Sequence, residues 1–141
     1  MRWQLGAWGA ALVLACAAPA LTGDSGKARK PQLDLRATPR VAFSPVEILI
    51  MGQLKGGMDL EEFYCPGQEW DWGDGTRSAY EADCAPYEDG AALERFFSAR
   101  HAYRTPGAYN VRLTLRRADH TVAVATVAVT VHGQTADASE F

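Results

Sequence analysis

From Tyr109 the chain alternates strictly: Tyr109, Val111, Leu113 and Leu115 are apolar, while Asn110, Arg112, Thr114 and Arg116 between them are polar. A period of two is that of a strand with one face in a core and the other in water. A second strand runs from Thr121 to Val131, and Arg117-Ala118-Asp119-His120 reads as the turn of a closing hairpin. Within that second arm the valines change parity: Val122 and Val124 share one face, whereas Val127, Val129 and Val131 share the other. Because a one-residue slip turns every side chain over, this pattern predicts a β-bulge near Ala125-Thr126.

Upstream the same reasoning finds further strands. Leu33 to Ala37 forms a first edge strand ended by Pro39, and Pro45 to Met51, rich in β-branched residues, forms a buried strand that stops at Gly52 or at Gly56-Gly57. Asp59 to Gly67 is a loop, Gln68 to Trp72 a strand, and Arg77 to Ala82 its partner. Glu94 to Tyr103 forms another strand, with a short helical turn over Ala91 to Phe97 as the alternative. The expectation is an all-β chain of about seven strands.

Two segments carry more than periodicity. In Trp70-Asp71-Trp72 the indoles lie two apart and share the core face, with Asp71 on the wet one; burying each contributes on the order of 1.5–3 kcal/mol. Gly73-Asp74-Gly75 follows, and Asp74-Gly75 supplies a tight hairpin's dipeptide, turning the strand back at Thr76. Further on, His101 and Tyr103 share a strand face, and Pro106-Gly107 presets a bend with Gly107 in the left-handed position of a type II turn. Together, in this order, Trp70-Asp71-Trp72-Gly73-Asp74-Gly75 and His101-x-Tyr103, Pro106-Gly107, Tyr109 resemble the signature of the PKD (polycystic kidney disease) domain family. The resemblance implies an immunoglobulin-like β-sandwich in which His101 and Tyr103 pack and hydrogen-bond at a corner. It also implies a module for contact or spacing outside cells. The stretch between Gly75 and His101 is longer than the family usually carries, which marks it as the place for a distinctive binding loop.

At 141 residues, 48% hydrophobic and 22% charged, the chain holds one core. Residues 1–20 read as a secretory signal, with Arg2 before an apolar run and Ala18-Pro19-Ala20 as a cleavage site. The competing reading of Val13-Leu14-Ala15-Cys16 is a lipobox, with Cys16 lipidated as the mature N-terminus and the membrane touched only through that anchor. Export to the periplasm, outer membrane or exterior follows from either. The polar segment 21–32 forms a flexible lead-in, 33–133 the sandwich and 134–141 a frayed tail.

Removal of Cys16 from the thiol pool leaves Cys65 and Cys84, which in an exported chain most simply pair. Two free thiols, or zinc with His101, His120 or His132, are the alternatives, and no Cys-x-x-Cys or His-x-x-x-His spacing favours the metal.

The net charge of −3 hides a strong division: from Asp59 to Asp89 ten carboxylates face Arg77 alone, a local −9. Such a field repels phosphate and disfavours nucleic acid. It leaves three readings: a Ca²⁺ site, a docking face for a basic partner, or a solvated acidic face. No nucleophile motif, phosphate-cradling loop or metal pattern points to catalysis, and a thiol site of Cys65, His101 and an Asp competes with the disulfide. The expected role is a non-catalytic module contacting protein or carbohydrate, with a structural spacer as the alternative. No cofactor is implied beyond the calcium reading.

Overall fold

In the computed structural model, which describes residues 29–134, eight strands form two packed sheets. They are β1 (Gln32–Thr38), β2 (Val41–Phe43), β3 (Val46–Lys55), β4 (Gly67–Asp71), β5 (Arg77–Tyr80), β6 (Phe96–Tyr103), β7 (Gly107–Arg117) and β8 (His120–His132). One sheet has the order β1-β3-β6 and the other β2-β8-β7-β4-β5. The fold is an all-β, immunoglobulin-like sandwich. The signal segment, Cys16, most of the lead-in and almost all of the tail lie outside the described residues.

The alternating residues of β7 enter the core as their period requires: Val111, Leu113 and Leu115 are completely buried and Tyr109 nearly so. Ile48 and Ile50 of β3 meet them from the opposite sheet, with Leu54, Phe97 and Val129 completing the layer. Burial on this scale is the main favourable term in the fold.

Several expectations are corrected. The eighth strand is β2, three residues that pair in parallel with β8. Pro39 cannot continue β1, and the chain crosses there to the other sheet, where the Arg40 carbonyl accepts from the Thr130 N–H. The bulge lies at Val122, since Leu115 pairs with Ala123 and Arg116 with Thr121, so it precedes the expected Ala125-Thr126. Ala123 and Ala125, not Val124, turn toward the core; Val124 is exposed, so the valine spacing misplaced the slip. Of the two ends expected for β3 the structure takes the second: the strand runs through Gly52, whose missing side chain makes room for Leu113 and Leu35, and stops at Gly56-Gly57. Within the expected loop, Glu61–Phe63 forms one 3₁₀ turn that buries Phe63, while Gly67 already belongs to β4. No helical turn forms over Ala91 to Phe97; β6 begins at Phe96.

Gly107 is not left-handed. It opens β7 in extended form, and a Cβ there would lie 3.1 Å from the Tyr109 ring, so the glycine serves close packing instead of a turn. The last residues of the lead-in are docked: the Arg29 carbonyl accepts from Met58 N–H, and a side chain at Gly57 would strike Pro31.

Candidate functional site

The two signature segments meet at one end of the sandwich. Trp70 and Trp72 are buried and stack with ring centroids 5.5 Å apart, as neighbours on one strand face do. His101 from β6 lies flat on Trp72 at 4.5 Å, Tyr103 meets His101 edge-on, and Tyr103 stacks on Tyr109 at 4.3 Å. Five rings thus run continuously from β4 of the larger sheet, across β6 of the smaller one, and back to β7 of the larger. Offset and edge contacts of this kind add to simple burial.

The polar atoms of the column are spoken for. The Tyr103 hydroxyl donates to the Trp72 carbonyl at 2.7 Å, and Trp72 Nε1–H donates to Ser78 Oγ at 2.9 Å. Tyr109 donates to the Thr105 carbonyl at 2.6 Å. Among the described residues no buried side-chain nitrogen or oxygen lacks a partner. Burial, followed by the nearby Asp74 and Tyr109, pushes the Tyr103 phenol far above its ordinary range, so it remains a donor.

Asp74 sits at the turn, which is a three-residue loop closed by Trp72 N–H to the Thr76 carbonyl. Its Oδ1 accepts from the Thr76 N–H at 2.9 Å and from the Thr76 hydroxyl, and its Oδ2 lies 2.7 Å from His101 Nε2. Burial opposes the charge, but the bonds from Thr76 and His101 outweigh it and hold the carboxyl down at about 2. Asp71 accepts from Gly73 N–H and pairs with Arg77 at 3.2 Å. Gly73 and Gly75 both have positive φ, and at Gly73 a Cβ would also press on the Asn110 carbonyl at 2.8 Å. The structure therefore gathers Trp70, Trp72, Asp74, His101, Tyr103 and Tyr109 into one bonded corner. Pro106 and Gly107 shape the neighbouring turn.

Thr76 and Ser78 were not singled out from sequence, although Asp-x-Thr is the spacing of a side-chain-capped turn and marks Thr76. Ser78 has no such local signal, because it matters only through a ring brought across the strand pair.

Cys65 and Cys84 form a disulfide. It ties the long segment after β5 to the base of β4, where the Tyr64 hydroxyl also donates to the Ala85 carbonyl and the Tyr64 ring meets Tyr87 edge-on. The local charge of −9 resolves into two populations. Asp59, Glu61, Glu62, Glu69, Asp71 and Asp74 pair with Arg95, Arg117, Lys30, Arg116, Arg77 and His101 respectively. Glu81, Asp83, Glu88 and Asp89 are exposed and make no ion pair among the described residues. Among those residues no three His, Cys, Asp or Glu converge as a metal site. No helix there is long and apolar enough to cross a membrane.

The aromatic residues outside the corner do not form one platform. Phe63 and Phe97 are buried, and Tyr64 and Tyr87 pack on each other. Tyr80 and Phe96 are exposed and line different hollows, Tyr80 beside Ser98 and Arg100, Phe96 beside Arg36 and Met51.

No family model and no curated protein matches the chain. Among solved structures it resembles the PKD domain of an M14-like peptidase from Thermoplasmatales archaeon SCGC AB-540-F20, with a TM-score of 0.51 and 18% identity. The match covers 74% of this chain and 98% of that one. The fold is thus PKD-like, an architecture that places its variable chemistry on loops around a fixed sandwich.

Proposed function

We propose that the chain is a non-catalytic, exported contact module of PKD type that engages a protein partner through the segment following β5. The observation that carries this reading is the contrast in commitment. Six acidic residues of the block are tied into the framework, whereas Glu81, Asp83, Glu88 and Asp89 stand exposed on a segment clasped by the disulfide. His101 and Asp74, the one histidine–carboxylate pair among the described residues, bond each other and the aromatic column, an arrangement suited to holding a corner. The spread of Tyr80 and Phe96 over different hollows favours protein over carbohydrate as the ligand.

Affinity capture from the native envelope tests the reading. The expected result is a reproducible basic protein whose capture weakens when the four loop carboxylates become amides. Recovery of no partner, or capture indifferent to those changes, overturns it in favour of a spacer. The calcium reading has its own check: a melting temperature that is the same in millimolar Ca²⁺ and in chelator removes it.

A further inference from the structure

The two sheets are unequal, five strands against three, with β2 and β5 as the outer strands of the larger one and β5 overhanging β6, the edge of the smaller, across an open groove. In register, Ser78 is paired with Trp70 and Tyr80 with Gln68, so Ser78 and Tyr80 point to the inner face of their sheet. All four residues of β5 are exposed: Ser78 accepts from the Trp72 indole on its inner face, and Tyr80 is 59% exposed despite its inward direction. Between the overhang and β6 runs an open groove of about 320 Å³ whose walls include Trp70, Ser78, Tyr80, Ala99 and Arg100. Both β5 and β6 are edge strands, and neither contains a proline, a lysine or a break in register. Those are among the devices that keep an edge from pairing; the four-residue length of β5 and the exposed Arg77 and Arg100 are the ones present, and they limit the strength of any pairing.

We propose that this open side is a self-association surface whose occupant is a second copy of the chain. Five strands beside three, and three beside five, complement each other. A two-fold axis between the copies places β5 of each against the free edge of β6 in the other. Each layer then becomes a continuous sheet of eight strands, the two overhangs stack face to face, and Tyr80 packs against its symmetry mate. The contact is isologous and closed, so it stops at a dimer. Covering the inner face and free edge of β5 and the edge of β6 in each copy removes on the order of 1,000 Å² from water, below the range of stable interfaces, which fits a weak, reversible dimer. Arg77 and Arg100, at this side, are paired within their own copy to Asp71 and Glu47, whereas Glu81, next to Tyr80, is exposed and makes no ion pair among the described residues.

Sedimentation equilibrium of the full chain over a wide concentration range tests the proposal. The expected result is a monomer–dimer equilibrium whose dissociation constant rises about tenfold or more in Tyr80→Lys, as for an anchor at the centre of an interface. Because Tyr80 is exposed in the monomer, that variant keeps its fold, which near-ultraviolet circular dichroism verifies. Independently, Tyr80→Cys is expected to give a disulfide-linked dimer under mild oxidation, while Thr126→Cys on the outer sheet face does not. A wild-type chain that stays monomeric throughout, or a dimer indifferent to Tyr80→Lys, overturns the proposal. So does Tyr80-dependent binding of a peptide or glycan by a monomeric chain, which would assign the groove another occupant.

Discussion

The corner built around Trp72 and the segment from Glu81 to Glu94 are joined through one short strand, yet they are held by different physics. At the corner, stacked rings exclude water and every buried donor has an acceptor, so each contact depends on its neighbours. The segment contributes no strand of its own. Its attachment runs through the Cys65–Cys84 bond, through Tyr64, which reaches Ala85 and Tyr87, and through Leu93, partly buried against the core. Sequence change is therefore costly in the first region and cheap in the second.

The sharpest way to break this comparison is to delete the centre of the corner. Trp72→Ala is expected to lose about 3–5 kcal/mol of stability in denaturant unfolding, since a buried indole leaves a cavity the surrounding rings cannot fill. Reduction of the disulfide, or Cys84→Ser, is expected to release the segment to proteolysis within residues 81–94 while the near-ultraviolet spectrum of the corner persists. The accompanying loss in global stability is expected to be below the ~3 kcal/mol of a closed loop this long, because the freed segment regains entropy in the folded state. Loss of the corner spectrum on reduction would show that the two regions are one unit.

Tyr103→Phe removes the donor to the buried Trp72 carbonyl and is expected to cost about 1–3 kcal/mol by the same measurement. Acid titration sharpens the comparison further. The carboxyl of Asp74 is depressed to about 2 from an ordinary 3.8, so its contribution is fully present above the higher value and disappears as pH falls through the lower. Discounted for its partial solvation, the loss is about 1 kcal/mol across that window, and Asp74→Asn is expected to flatten that part of the stability profile. The smallest effect is expected from Glu88→Gln and Asp89→Asn, within about 0.5 kcal/mol, as for exposed residues without partners. A larger change in either would mean the segment is bound more tightly to the frame than its contacts indicate.

The residues differ in how far they could be read in advance. Tyr109 to Leu115 were legible because a strand's facing depends only on parity and local polarity. That Trp70 and Trp72 share the core face was implied by their spacing, and the pairing of Cys65 with Cys84 by counting. The bulge was legible as a necessity but not in its place, since Ala123 and Ala125 carry too little hydrophobicity to show which way they turn. Gly107 misled because a glycine that avoids a ring and a glycine that adopts positive φ look identical in a string of letters. The division of the acidic block into paired and unpaired halves was invisible, because its partners Lys30, Arg95, Arg116 and Arg117 lie far away along the chain.

By itself, then, the order of residues determined the strand class, the core-facing sides and the two segments that make the corner, all of which follow from backbone geometry within a few positions. Only the tertiary structure decided the crossing of β2 between sheets, the widths of five and three, and the exposure of inward-pointing Tyr80. These depend on which strands meet. Such meetings are settled by the free energy of burying whole faces against one another, a quantity no local window contains.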